Sequence, residues 1–202
     1  MVNMKQFRGI FNNVDRPSIV SSSHFCKAIL EWMGLRFLIS SAMINRIGRG
    51  KDGRWCCECS ELVINDFFKD KKVKHLLEIG TYLGVSALMF SRYADKVTTI
   101  DVWPRTEPVG LWDLFEVDID YYVFSAPKEL DKYIKDLDFD FAYIDANHDL
   151  ENVNHDFSLV EKCGKVLFHD YYLGNGGVKE FVDKLPKEEM TFFKPFVYWE
   201  KK

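Results

Sequence analysis

The chain has no long unbroken apolar run, no excess of one charge, few prolines and glycines, and too few cysteines for a covalent framework. Each shortage excludes something. The longest greasy stretch, residues 28–44, is interrupted by Glu31 and Arg36, which argues against a membrane span. Gln6, Arg8, Asn12, Asn13, Asp15 and Arg16 break up the apolar start that a secretory leader needs, so a cytoplasmic protein is expected. The 6 prolines and 12 glycines rule out a collagen-like or low-complexity chain. With 27 basic against 31 acidic residues the net charge is −4, which gives no broad field for a nucleic-acid backbone. Five cysteines (Cys26, the Cys56, Cys57 and Cys59 cluster, and Cys163) are odd in number, and no second pair lies at zinc-finger spacing, so thiols are expected.

What is present is the composition of a packed domain, 47% hydrophobic and 29% charged. A chain of this length buries roughly 70% of its unfolded surface. Its pattern changes near residue 72. Before that point apolar residues cluster at helical spacing, over 25–44 and 62–68, with Ser60 placed as an N-cap. This makes residues 1–70 a helical extension. After it, short β-rich runs alternate with amphipathic segments, the pattern of βα units around a mainly parallel sheet. Strands are expected over 73–79, 96–102, 119–124, 139–144 and 165–168, and one or two more over 191–200 around Pro195. Leu150, Val153, Phe157 and Val160 form a helical stripe stopped by Gly164. Leu130, Ile134 and Leu137 form a second stripe, and Val178, Phe181, Val182 and Leu185 a third.

In such sheets ligands bind beyond the carboxyl ends of the strands. The first strand runs through Glu78 into Gly80, Thr81, Tyr82, Gly84 and Ser86. Tyr82 stands where a dinucleotide fingerprint needs its second glycine, and no Gly-Lys-Ser/Thr follows, so neither a pyrophosphate pocket nor a P-loop is expected. Asp101, 21 residues after Gly80, ends the second strand. A carboxylate there can accept hydrogen bonds from two vicinal ribose hydroxyls, although a surface aspartate is the plain alternative. Ser125 suits either an adenine contact or the cap of a helix whose first turn holds Pro127. The next two strands deliver Asp145 with His148, and His169 with Asp170 and Tyr171. Two carboxylates and two imidazoles in one crevice suit a divalent cation or acid/base chemistry. As a plain alternative His148 caps the following helix. His24, His75 and His155 are read as ordinary, His155 as solvated.

On these residues the chain, over roughly 60–202, resembles the class I S-adenosylmethionine-dependent methyltransferases. The pairing of Asp145 and His148 with His169, Asp170 and Tyr171, followed by Gly177 and Val178, is similar to the small O-methyltransferases grouped with macrocin-type and cephalosporin-hydroxylase-like enzymes. The resemblance implies a Rossmann-like α/β sandwich over 71–202, with a mainly parallel seven-stranded sheet and helices on both faces. It places Glu78, Gly80, Thr81, Gly84, Ser86, Asp101, Ser125 and Asp145 on the cofactor S-adenosylmethionine, Glu78 near its cationic end. Metal-dependent relatives bind magnesium through positions that correspond here to Asp145, His169 and Asp170, so magnesium or manganese is a candidate. The departure is His169, or Tyr171 in another alignment, in place of an oxygen ligand. His148 or His169 is the candidate general base.

The expected activity is O-methylation of a small-molecule or sugar hydroxyl. Residues 103–115, with Trp103, Leu111, Trp112 and Phe115, then form an aromatic lid, or simply pack or make a dimer contact. The alternative is a non-catalytic protein of the same fold acting as an interaction module. Nucleic-acid methylation is disfavoured because Asp145, Ala146, Asn147 and His148 replace a base-flipping Asn/Asp-Pro-Pro-Tyr sequence. A membrane role is not expected, and a homo-oligomer is compatible with the sequence.

Overall fold

A computed structural model describes residues 2–3, 63–173 and 176–202. The chain divides into two units, Met1–Asn12 with Lys72–Lys202, and Asn13–Lys71. Of the second, only residues 63–71 are described, helical over 63–68. The expected helix over 25–44, Ser60, His24 and the cysteines Cys26, Cys56, Cys57 and Cys59 lie outside the described residues.

The first unit is built on β1 (Val2–Asn3), β2 (Val73–Ile79), α1 (Val85–Phe90), β3 (Ala94–Asp101), α2 (Glu107–Leu114), β4 (Asp120–Val123) and α3 (Pro127–Asp136). It continues through β5 (Phe141–Ile144), α4 (Leu150–Val160), β6 (Lys165–Phe168), α5 (Gly177–Val182), β7 (Met190–Phe193) and β8 (Phe196–Glu200). The strands lie in the order β1-β4-β3-β2-β5-β6-β8-β7. Strands β2 to β6 run parallel, and β7 and β8 form the antiparallel end. The two-residue β1 pairs antiparallel with β4 and adds an eighth strand to the expected seven. The chain steps outward from β2 to β3 and β4, then returns to lay β5 on the other side of β2. The order therefore reverses between β2 and β5, where a ligand crevice opens in sheets of this kind.

Helices cover both faces, as strand alternation requires. Leu77, Ile79, Ala142, Ile144, Val166 and Phe168 point to one face. There they pack with Leu130 and Ile134 of α3, Val153, Phe157 and Val160 of α4, and Val178, Phe181 and Val182 of α5. On the other face Tyr143 of β5 meets Phe90 of α1 edge-on at 4.8 Å, and Tyr121 of β4 meets Trp112 of α2 at 5.7 Å.

The boundaries differ from expectation for local reasons. Asp140 does not extend β5; its carboxylate accepts the Lys74 and His75 N–H groups at 3.1 and 2.8 Å and fastens the start of β2. Val102 is exposed beyond the end of β3. Leu137 is the extended C-cap of α3 rather than a helical residue. The last turn of α3 is held instead by Lys162, whose Nζ donates to the carbonyls of Ile134, Lys135 and Leu137 at 2.8–2.9 Å. The α3 N-cap is Ala126 in extended conformation, so Ser125 is not the cap. Leu185 lies past the end of α5. Gly164 (φ 73) closes the turn after α4 as expected. Pro195, preceded by a cis peptide bond, separates β7 from β8. Among the described residues no helix is long and apolar enough to cross a membrane.

Candidate active site at the strand ends

The strand ends are tied together by backbone bonds that continue past the ladder. Gly80 N–H donates to the Ile100 carbonyl at 2.8 Å, Asp145 N–H to Ile79 at 2.9 Å and His169 N–H to Ile144 at 3.2 Å. Glu78, Asp101, Asp145, His169 and Asp170 are thereby set along one edge of the sheet.

Gly80 has φ 103, and a Cβ on it would stand 2.1 Å from the Asp145 carbonyl oxygen. Only glycine lets the first turn run this close to the end of β5. Gly84 (φ 75) starts α1, and a Cβ there would stand 2.7 Å from the Trp112 ring, whose indole N–H donates to the Gly84 carbonyl at 2.8 Å. Trp112 and Leu111 are therefore buried packing rather than lid residues, whereas Trp103 is 68% exposed beside Asp101. Tyr82, also exposed, takes the left-handed conformation (φ 45) at the missing second glycine, with the Arg105 guanidinium 5.0 Å above its ring.

Glu78 is fully buried. Thr99 donates to its Oε2 at 2.5 Å, and Thr81 donates to Thr99 at 2.7 Å, while Oε1 has no hydrogen-bond partner. Burial pushes the carboxyl up to about 8; the Ser86 and Thr99 hydroxyls oppose this, Ser86 without a well-directed bond to Oε1. Asp101 is held by two backbone donors, Tyr82 N–H to Oδ2 at 2.9 Å and Trp103 N–H to Oδ1 at 3.0 Å. Each oxygen retains a lone pair for a further donor. Ser125 is exposed at the end of β4, the strand next to β3.

The second cluster joins Asp145, His148, His169 and Asp170. His148 Nε2 lies 3.1 Å from Asp170 and 3.7 Å from Asp145; His169 Nδ1 lies 2.8 Å from Asp170 and 3.5 Å from Asp145. Asp170 has φ 60, a conformation aspartate tolerates better than most residues. Consecutive residues of a strand face opposite ways. Leaving β6 through this left-handed residue brings His169 and Asp170 into one site. Burial would raise Asp145, but His148, His169 and the Tyr143 hydroxyl, which donates at 2.9 Å, hold it well below the usual carboxylate range. Burial would likewise discharge His169, yet Asp145 and Asp170 outweigh it and carry it to about 10. Asp145 raises His148 against its burial, with Asp170 assisting. His148 is not the cap of α4; that position is Asp149.

The remaining described histidines stand apart. His75 bridges the Asp138 carbonyl and the Thr98 hydroxyl at 2.6 and 2.8 Å. His155, expected to be solvated, is part-exposed, and its Nε2 also lies 3.1 Å from Asp131 Oδ1, from α4 to α3. Thr99 and Tyr143 were not singled out in the sequence, and Trp112 was named there only as a lid or packing residue. The first two were findable, because each lies two residues before a strand-end acid and so faces the same way.

Residues 77–171 match the family model described as a methyltransferase domain. No curated protein matches the chain. Among solved structures the chain is similar to an O-methyltransferase of tomaymycin synthesis from Streptomyces achromogenes, in complex with SAM. The TM-score is 0.60 at 15% identity, covering 100% of each chain. It is also similar to an SAH-bound methyltransferase from Podospora anserina (TM-score 0.59, 16% identity, 95% of this chain and 91% of that one). A third is an O-methyltransferase from Bacillus cereus in complex with SAH (TM-score 0.55, 13% identity, 86% and 97%). The match to the methyltransferase-domain model spans residues 77–171, and the fold is the one shared by these solved methyltransferases.

Proposed function

We propose that the protein is an S-adenosylmethionine-dependent O-methyltransferase acting on a small-molecule hydroxyl, a sugar hydroxyl included. The observation that carries this reading is Glu78, a buried carboxylate with one unpartnered oxygen, two residues before a glycine that no other residue can replace. An orphaned buried carboxylate oxygen is costly unless a ligand completes it. A cation completes it best, and the cofactor's sulfonium and ammonium groups are cations. The tomaymycin-pathway and Bacillus cereus enzymes, crystallised with SAM and SAH, support the same cofactor and reaction.

When bound, the cofactor supplies a methyl group carried on a sulfonium sulfur. This chain's residues bind and orient it. The Gly80–Gly84 turn, with Thr81 and Ser86, gives the methionine end a close backbone approach, Glu78 balances its charge, and Asp101 offers two preset acceptors to the ribose hydroxyls. Ser125 and Asp145 border the same crevice. His148, half-exposed and oriented by Asp170, takes the proton of the acceptor hydroxyl as its oxygen attacks. His169 sits deeper, fixed between two carboxylates, and serves the cluster rather than the acceptor. Magnesium, which the resemblance implies, fits the donor set poorly because one of three donors is an imidazole nitrogen. Exposed Trp103, beside Asp101, is assigned to acceptor choice. A cytoplasmic setting accords with the free thiol of Cys163.

The test is transfer of labelled methyl from S-adenosylmethionine to a panel of hydroxylated small molecules. Labelled ether product with the native chain and none with Asp101→Ala is expected; cofactor binding without transfer to any hydroxyl would contradict O-methylation.

A further inference from the structure

S-adenosylmethionine ends in an α-carboxylate, and the strand ends proposed above to receive it are rich in acids. Like charges brought together in a crevice repel, so this carboxylate needs a cation. The two imidazoles are already engaged by Asp170, His148 at 3.1 Å and His169 at 2.8 Å. The segments that follow β2 to β6, residues 80–84, 102–106, 124–126, 145–149 and 169–173, contain one lysine or arginine between them, Arg105. Its segment is fixed at both ends. Trp103 N–H donates to Asp101 at 3.0 Å, and the Tyr121 hydroxyl donates to the Trp103 carbonyl at 3.2 Å. Further on, a Cβ on Gly84 would stand 2.8 Å from the Pro108 Cβ, so the start of α2 packs on the end of the glycine turn. Between these points the Arg105 guanidinium lies 5.0 Å from the centroid of the Tyr82 ring, in that same turn. A cation–π contact holds a guanidinium in place without neutralising it. Arg105 Nε is buried without a hydrogen-bond partner, and among the described residues no carboxylate pairs with the side chain.

We propose, resting on the cofactor reading above, that Arg105 binds the α-carboxylate of S-adenosylmethionine and so selects the intact amino acid end of the cofactor. A buried donor left without an acceptor is costly, and a ligand carboxylate removes that cost. Arginine takes a carboxylate through two parallel N–H bonds, a geometry that a single orphaned donor and its neighbouring nitrogen can supply. The charges of the amino acid end are thus sorted between two loops, the cations to Glu78 and the carboxylate to Arg105. Without Arg105 the surrounding acids favour a ligand that lacks the carboxylate altogether.

The test is calorimetry on the full native chain and on Arg105→Met, which keeps an apolar stem and loses the charge. Each is titrated with S-adenosylmethionine and with decarboxylated S-adenosylmethionine, which keeps the ammonium, the sulfonium and the adenosine and lacks only the carboxylate. The native chain should bind the intact cofactor at least about tenfold more tightly than the decarboxylated one. Arg105→Met should lose about tenfold or more in affinity for the intact cofactor and stay within about twofold for the decarboxylated one, which also shows that the variant is folded. Arg105→Lys, with the charge but not the planar fork, should fall between the two. A native chain that binds both ligands alike overturns this inference alone, and that reading stands even where the variants do not fold. An Arg105→Met variant that loses nothing, or loses equally for both ligands, also overturns it. A native chain that binds neither ligand overturns the proposed function, and this inference with it.

Discussion

Glu78 offers the sharpest quantitative check, because its environment makes both stability and cofactor binding depend on pH. Its carboxyl ionises near 4.5 in an unfolded chain and near 8 when buried in the fold. The folded state therefore holds this proton more tightly than the unfolded one. Glu78 costs nothing below about pH 4.5, costs progressively more as pH rises to 8, and levels off above it. The shift corresponds to an upper figure on the order of 5 kcal/mol at pH 8, a large part of a domain's usual 5–15 kcal/mol. Glu78→Gln removes the charge but keeps the shape. In denaturant titrations the variant should match the native protein near pH 5 and gain several kcal/mol over it at pH 8. A cationic ligand reverses the sign, since it favours the ionised carboxylate. Affinity for S-adenosylmethionine should rise with pH toward 8, by up to about tenfold per unit, and flatten beyond it. Glu78→Gln should bind weakly at every pH. Native and variant stabilities that run parallel from pH 5 to 8 would refute the reasoning.

Gly80→Ala should cost several kcal/mol, because its Cβ would meet the Asp145 carbonyl at 2.1 Å, and melting together with cofactor calorimetry should show both losses. Lys162→Met removes the donor to three carbonyls at the end of α3 and should lower stability by about 1 kcal/mol, seen as a fall in Tm of about 2–4 °C with cofactor affinity unchanged. Asp170→Ala should abolish any effect of added divalent cation on turnover while leaving S-adenosylmethionine affinity within about threefold, read by calorimetry with and without Mn2+.

Much of the sheet was legible because its strands are short apolar runs closed by acids or glycine. The 73–79 and 165–168 strands match residue for residue. The errors fall where a polar side chain takes over the backbone's task, as Asp140 does at β2. Glu78, Asp101, Asp145, His169 and Asp170 were readable because strand ends in a parallel sheet converge. The pairing of His155 with Asp131 was not, because it joins two helices whose register no spacing in the sequence reveals. Trp112 stayed open between lid and packing for a related reason: an aromatic in a loop-like stretch reads either way until the helix that buries it is seen.

The central claim is that the crevice at the ends of β2, β3 and β5 grips an adenosyl sulfonium donor, and calorimetry of S-adenosylmethionine against the native chain and Asp101→Ala tests it most directly. Binding by the native chain that weakens by about 2 kcal/mol or more in the variant is the expected result, since a charged group accepting two ribose hydroxyls is lost. No binding by the native chain, or equal binding by the two, would contradict it.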